Sequence, residues 1–326
     1  MNNVRFVEQK TLTLGQPETI KLPTNDCIRN VILRLGGTVT IASGSASGSV
    51  LPQGASRLLS QIAIRRNGSD TPFALPGWLL YELNKIFFGT APQAANLASG
   101  DAQSATAVNQ TIVIPFENLG GVKPFDTLLK ANGLSSLDLL VDTVAAANLT
   151  YGSDRTFTTP TTFTLRVSVE EERYVNNFSF GDLRVSLLQK IQVSAASTNF
   201  QIKPLPADNM YKGFLFFAED TGVGSDTLVN KIKIKSGSES FVDGYWNDLK
   251  GFSKLRHQAE TAMSTGAVYL NMIPDGMLNS ALDLRQETGR QTLEAELDVA
   301  APSGTAYVYV VGIQYVPPVQ VKKITG

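Results

Sequence analysis

The stretch LLSQIAIRRNGS, residues 58–69, returns in the second half of the chain as LVNKIKIKSGSE, residues 228–239, without a gap. In both copies apolar and polar residues alternate, with Ile62 and Ile64 in the first and Ile232 and Ile234 in the second. A period of two places the isoleucines on one face of an extended chain and their neighbours on the other, so each copy reads as a half-buried strand. Asn67-Gly68 closes the first copy with a hairpin signal, since both residues tolerate the positive φ of a tight turn.

The match extends outward in both directions. Upstream, VEQKTLTL pairs with LLQKIQVS (Gln9-Lys10 opposite Gln189-Lys190), ETIKLPTND with FQIKPLPAD (Ile20 opposite Ile202), and RNVILRL with KGFLFFA (Arg29 opposite Lys212). Downstream, each copy runs through a turn into a helix carrying a tryptophan, Trp78 or Trp246. Then TIVIPF pairs with AVYLNMIP (Ile112 opposite Val268), LDLLVD with LEAELD (Leu137 opposite Leu293), and TFTLRVSVE with TAYVYVVGIQ (Phe163 opposite Ala306). The spacing between matched positions shortens in three steps. Each step falls in a Ser/Gly/Ala/Thr-rich stretch of the first half, near 36–57, 90–109 and 142–160, as longer surface loops in one copy would produce. The chain is thus expected to be a duplication, with 1–175 and 176–326 as its two domains.

Further alternating runs support an all-β class. Leu165, Val167, Ile232, Leu293 and Leu297 are expected to face a core, and Lys233, Glu294 and Glu296 to face away. Ala306–Val311 is apolar or aromatic on both faces, so this strand should be covered on both sides. Two helices interrupt the pattern. Pro76 to Phe88 carries Leu79, Leu83, Ile86 and Phe87 on one stripe, with Gly89 as its stop. Asp243 is the expected cap of a second helix, whose packing stripe holds Tyr245, Leu249 and Phe252. Pro317-Pro318 cannot donate to a ladder, so the last strand should end near Val316 and leave 317–326 as a tail.

Composition narrows the function. Of 326 residues, 28 are Lys or Arg and 29 Asp or Glu, a net charge of −1, which argues against a protein that grips nucleic-acid phosphates, so no sequence-specific nucleic-acid partner is expected. Charged residues make up 17%, below the roughly 25% of an average globular chain, while 43% are hydrophobic, so a large core and subunit-covered surfaces are expected. One Cys and one His exclude an internal disulfide and a Cys/His zinc cage. Cys27, beside Ile28, reads as a small buried hydrophobe, and no nucleophile motif accompanies His257. The N-terminus, MNNVRFVEQK, has no apolar signal core, so synthesis in a reducing cytoplasm is expected and the sequons at Asn67, Asn109, Asn148 and Asn177 are chance matches. No apolar run is long enough to span a bilayer as a helix.

Chemical motifs are weak. Gly222-Val223-Gly224-Ser225 lacks a third glycine and reads as a turn, and the stretch from Ser43 to Ser49 reads as a flexible loop. Arg65-Arg66 reads as a solvated strand end rather than a phosphate contact. Glu170-Glu171-Glu172 offers oxygens for Ca²⁺ or Mg²⁺, but three consecutive residues of a strand point to alternate faces, so a solvated strand end is the better reading. No catalytic, cofactor-binding or metal-binding residue is therefore assigned, and an enzyme is not expected.

The duplicated QK…IK…P unit (Gln9 to Pro23, Gln189 to Pro206), the duplicated IxI strand with its helix, and the paired closing strands resemble one family across nearly the whole chain. It is that of the double jelly-roll major capsid proteins of tailless icosahedral viruses with an internal lipid membrane, the flavobacterium-infecting lipid-containing phage being the nearest likeness. The resemblance implies two consecutive eight-stranded jelly rolls and a homotrimer shaped as a pseudo-hexagon. It further implies a virion shell in which that trimer meets neighbouring capsomers, penton and minor capsid proteins, and, through its inner face and tail, membrane lipid. Two other classes fit an all-β chain. A carbohydrate- or receptor-binding sandwich, such as a spike or adhesin, should show aromatics and Ca²⁺ carboxylates on its loops. A β-sandwich hydrolase needs an acid/base pair in a cleft, whereas Glu294 and Glu296 alternate as a wet face.

Overall fold

A computed structural model describes residues 3–43, 53–89, 92, 103–119, 121, 123–145, 155–172, 181–206, 209–257, 263–273, 275–283 and 292–318. The first half contains β1 (Asn3–Leu12), β2 (Pro17–Lys21), β3 (Cys27–Ser43), β4 (Leu59–Arg66), β5 (Asp70–Leu75), α1 (Gly77–Phe88), β6 (Gln103–Pro115), β7 (Leu129–Lys130), β8 (Leu137–Thr143) and β9 (Arg155–Glu172). The second contains β10 (Asp182–Val193), β11 (Ser197–Leu205), β12 (Met210–Asp220), β13 (Val223–Gly224), β14 (Val229–Ser236), β15 (Glu239–Tyr245), α2 (Trp246–His257), β16 (Ala267–Asn271), β17 (Leu282–Asp283), β18 (Leu293–Val299) and β19 (Ala306–Val316).

Strand order repeats between the halves. In the first, β1-β9-β3-β6 faces β2-β8-β4-β5; in the second, β10-β19-β12-β16 faces β11-β18-β14-β15. The pairing confirms the sequence match position by position. Ile20 lies opposite Leu139 and Ile202 opposite Ala295; Ile64 lies opposite Leu139 and Ile234 opposite Ala295. Leu33 is flanked by Ile112 and Val167, and its counterpart Phe216 by Val268 and Val310. The expected inward residues Leu165, Val167, Ile232, Leu293 and Leu297 are all buried. Lys233, Glu294 and Glu296 face outward, where Glu296 takes Lys233 and Lys235 and Glu294 takes Lys203 in a cross-strand ladder.

Two matches slip by one residue. Gln9 lies opposite Arg166, but Arg166's counterpart Tyr309 faces Lys190, not Gln189. The shared Gln-Lys pair is thus out of register, and the true landmark is a bulge that both strands carry, between Phe6 and Glu8 and between Leu187 and Gln189. The tryptophans slip likewise. Ile62 faces Leu75 and Ile232 faces Gly244, and the helices start two residues later, so Gly77 corresponds to Trp246 and Trp78 to Asn247.

Other expectations are corrected. Asp243 does not cap α2; it belongs to β15 and pairs with Lys231 at 2.6 Å. Of the expected α2 stripe only Leu249, half-buried, packs against the second core; Tyr245 and Phe252 are exposed, and the helix buries Trp246, Lys250 and Ser253. The first helix starts at Gly77, with Gly89 left-handed at its end (φ 67°), as a helix stop requires. Much of the extra first-half sequence lengthens strands rather than loops, since β3 and β9 stay paired from Thr38 to Ser43 and β6 follows β3 to Ile41. The rest of those stretches, the 175/176 boundary, most of the Ser43–Ser49 stretch and residues 319–326 lie outside the described residues, while β19 does end at Val316.

The two sandwiches are not separate. β5 and β10 pair in parallel through Phe73–Val185 and Ala74–Ser186, which joins one sheet of each into a continuous ten-stranded sheet. Ala306–Val311 lies inside it: Val308 and Val310 belong to the second core, Tyr309 and Val311 to the first. The strand is covered on both faces, as expected, but by the chain's own two cores.

Candidate functional site

The most elaborate surface in the chain is the seam between the sandwiches, and three groups of side chains build it. The first is aromatic. Trp78 of α1 points away from its own sandwich and meets Phe217 and Tyr309 edge-on, each at 4.9 Å between ring centroids. Phe87 meets Tyr269 at 6.0 Å, and the Arg57 guanidinium lies 4.9 Å over the Trp78 ring. Such pairs add about 0.5–1.5 kcal/mol each beyond the area they bury.

The second group is polar and buried. Glu82, 1% exposed, accepts hydrogen bonds from Gln53 Nε2 (2.7 Å) and, across the seam, from Ser264 Oγ (2.9 Å). Lys85 Nζ donates to Ser264 Oγ at 2.5 Å, and Lys250 Nζ of α2 donates to the Ser264 carbonyl at 2.9 Å and to Asp226 at 2.6 and 2.7 Å. Burial pushes the Glu82 carboxyl up and the Lys85 ammonium down, each against the pull of the other's charge. Asp226 is held below the usual carboxylate range despite its burial, by hydrogen bonds from Lys250, Trp246 and the Gly266 N–H. Buried charges are tolerated when paired and hydrogen-bonded, and these fix one docking geometry.

The third group is at the strand ends. Arg66 grips Asp182 of β10 bidentately at 3.0 and 2.7 Å and Asp70 at 2.7 Å, while Arg184 returns to Asp70 at 2.8 Å. Arg66 is 9% exposed, so the solvated strand end expected at Arg65-Arg66 is corrected: its neighbour Arg65 does face outward, toward Asp138, but Arg66 is a stitch across the seam. Sequence reasoning missed it because its partner is 116 residues away and in the other sandwich.

The other expected positions are dispersed. Cys27 is 1% exposed in β3, and burial pushes its thiol up, which keeps it protonated and inert. Glu170 and Glu171 are not solvated: Glu170 takes Arg29 (3.2 Å) and Asn30 (2.7 Å), and Glu171, 2% exposed, lies 3.7 Å from Arg5. Thr221 (φ 54°) and Gly222 (φ 83°) make the tight turn between β12 and β13. His257 is the last residue of α2. Among the described residues no three His, Cys, Asp or Glu side chains are grouped to hold a metal ion.

No family model matches the sequence, and no curated protein matches it. Solved structures do. The chain is similar to the STIV MCP (TM-score 0.73, 18% identity, 98% of this chain and 97% of that one). It is also similar to a chain in the atomic structure of Sulfolobus turreted icosahedral virus (TM-score 0.74, 16% identity, 97% and 91%). A third likeness is to the major capsid protein P2 of bacteriophage PM2 (TM-score 0.60, 13% identity, 97% and 98%). Each match runs end to end and takes in both sandwiches with the seam between them. The fold is a double jelly roll. In this double jelly roll the internal seam, rather than a catalytic cleft, is where polar and aromatic side chains converge.

Proposed function

We propose that the chain is the major capsid protein of an icosahedral virus and a structural, non-enzymatic subunit of its shell. The observation that carries this reading is the end-to-end likeness to the major capsid protein P2 of bacteriophage PM2 and to a chain of an icosahedral virus. Residues 1–175 and 176–326 are its two jelly rolls. Three copies place six similar barrels in a ring, so the working unit is a homotrimer with a pseudo-hexagonal outline, the simplest closed symmetry that tiles a near-sixfold lattice. Such tiles meet neighbouring capsomers along their sides and penton or minor proteins at the vertices, and enclose a membrane and genome. The tail 317–326 carries Lys322 and Lys323, each worth about 1 kcal/mol against an anionic lipid surface.

Light scattering coupled to size exclusion tests this reading. A species of three times the 35.1 kDa chain mass, and hexagonal tiles by negative-stain microscopy, are the expected results. A stable monomer at micromolar concentration returns the chain to the adhesin or receptor-binding alternative.

A further inference from the structure

The register that relates the two barrels also shows what each lacks. Inside the chain, the β5 edge receives β10, with Val185 opposite Phe73 and Ser186 opposite Ala74. The counterparts of β5 and β10 are β15 and β1, and among the described residues both are edge strands, β15 of the four-stranded sheet and β1 of the five-stranded sheet. Val185 is 2% exposed and Leu187 packs against the first core, but their counterparts Val4 and Phe6 are 59% and 58% exposed. On the other side, a groove of ≈ 290 Å³ opens beside β15 and α2, lined by Val242, Leu249 and Phe252. The counterparts of those three, Phe73, Leu80 and Leu83, are buried in the same core as Val185. An uncovered apolar strand and an unfilled apolar groove thus occupy the two positions that meet inside the chain.

The aromatic part of the seam has its own counterpart, and it is charged. Phe217 and Tyr309, which seat Trp78, correspond to Arg34 and Arg166 on the first barrel. These two arginines stand directly opposite each other on β3 and β9, both exposed. Arg34 donates to Asn109 (2.9 Å) and Arg166 to Gln9 (3.0 and 3.1 Å), and no carboxylate among the described residues pairs with either. Like charges directly opposite on a sheet repel, so the pair calls for an acidic partner. The counterpart of Trp78 is Asn247, followed by Asp248; both are exposed at the start of α2, in a pocket that Asp298 also lines.

We propose that β1 of one copy adds in parallel to the β15 edge of the next, with Val4 and Phe6 filling the groove beside α2, and that Arg34 and Arg166 of the added barrel seat against Asp248. Arg5 then falls opposite Asp243, a further complementary pair. The contact between copies repeats the contact between barrels, with ions where the internal seam has aromatics. This rests on the trimer reading above and specifies its interface.

Neighbouring strands lie about 4.8 Å apart, within the Cα separation a disulfide spans. A chain carrying Arg5→Cys and Asp243→Cys, treated with diamide as oxidant, should run as a covalent trimer on a non-reducing gel, while the parent chain, whose Cys27 is buried, should not. Val4→Asp with Phe6→Asp should raise the trimer dissociation constant at least about tenfold, since charge would be buried in the contact without a partner. Arg166→Glu and Asp248→Lys should each weaken the trimer, and both in one chain should restore it. All four positions are exposed, so the barrels themselves remain folded, which an unchanged circular dichroism spectrum verifies. A trimer that persists through these variants and gives no cross-link overturns the interface and leaves the trimer standing. A parent chain that is monomeric at every concentration overturns both.

Discussion

α1 and α2 hold the same place in their barrels, α1 between β5 and β6 and α2 between β15 and β16, and both are 12 residues long. Yet α1 is buried from Gly77 to Ile86, while α2 exposes Phe252 at 61% and Leu255 at 76%. The difference lies in the surroundings, because α1 is wedged against the second barrel and no described residue covers the outer side of α2, where Phe252 and Leu255 lie. A helix with one neighbour needs one apolar stripe, and a helix between two needs two. The mixed, low-contrast pattern of α1 is therefore the record of its two partners, Trp78 for the far barrel and Leu79 and Leu83 for its own core.

The largest effect that separates core from seam is expected at Leu297. It is 1% exposed on β18 between Ile232 and Phe200, deep in the second barrel and far from the first. Leu297→Asp buries an unpaired charge and should cost more than about 4 kcal/mol. The second barrel should unfold while the first, whose core is built mostly of its own residues, retains structure. Hydrogen exchange that shows both barrels losing protection together would merge the two cores into one cooperative unit.

The tryptophans sharpen the contrast. Each truncation to Ala should cost about 3–5 kcal/mol. Trp246→Ala empties the second core and should lower the stability of that barrel alone. Trp78→Ala removes the ring between Phe217 and Tyr309 and should uncouple the barrels, so that denaturation followed by two probes splits into two transitions. If both variants unfold in one step, the seam is not a separable interface.

Those two residues also mark how far the sequence could be read. Period-two alternation recovered the strands and, through pairs such as Ile64 with Ile234, their partners, because one buried face leaves a register no freedom to slip. Identity of letters was a poorer guide. Gln9-Lys10 resembles Gln189-Lys190, and Trp78 resembles Trp246, yet both are out by one position, which turns a strand residue to the other face and a helix residue by about 100°. Surface polar residues such as Gln9 carry no packing constraint that would hold them in register. Asp243 looked like a cap by its spacing, but its β15 partner Lys231 claims it. The seam was illegible for a different reason: Glu82, Ser264 and Arg66 are ordinary polar residues until the fold brings together positions more than 100 apart.

Lys212 offers a third, smaller break between the halves. It sits where the first barrel has Arg29, which is answered by Glu117 and Glu170. Lys212 is 3% exposed and donates only to the Leu119 carbonyl (2.7 Å) among the described residues, beneath the Phe87 ring. Burial pushes its ammonium down to about 7. Unfolded, it titrates near its ordinary value, so between pH 7 and about 10.4 the unfolded chain binds the extra proton and stability rises with pH. Below pH 7 both states are charged and the full desolvation penalty stands. Lys212→Met removes that penalty and loses one hydrogen bond, a net gain of about 2 kcal/mol at pH 6 that shrinks toward pH 10. Denaturant midpoints at the two pH values read it directly, and a variant whose pH slope equals the parent's would mean that Lys212 is paid no such penalty.

The smallest expected effect contrasts the two hairpins that join β4 to β5 and β14 to β15. In the first barrel Asn67 takes a left-handed φ of 48°, and its side-chain oxygen accepts hydrogen bonds from the Ser135 N–H (2.9 Å) and hydroxyl (3.0 Å). The second barrel uses Gly237 at φ 59°, with open space around it. Asn67→Ala loses a tether between distant loops and places a β-carbon in a left-handed residue, which together should cost about 1–2 kcal/mol. Gly237→Ala meets only the backbone strain, about 1 kcal/mol. Thermal melting of the two variants side by side should therefore rank Asn67→Ala below Gly237→Ala. Equal shifts would assign the whole effect to backbone conformation and none to the tether, making the two hairpins interchangeable despite their different sequences.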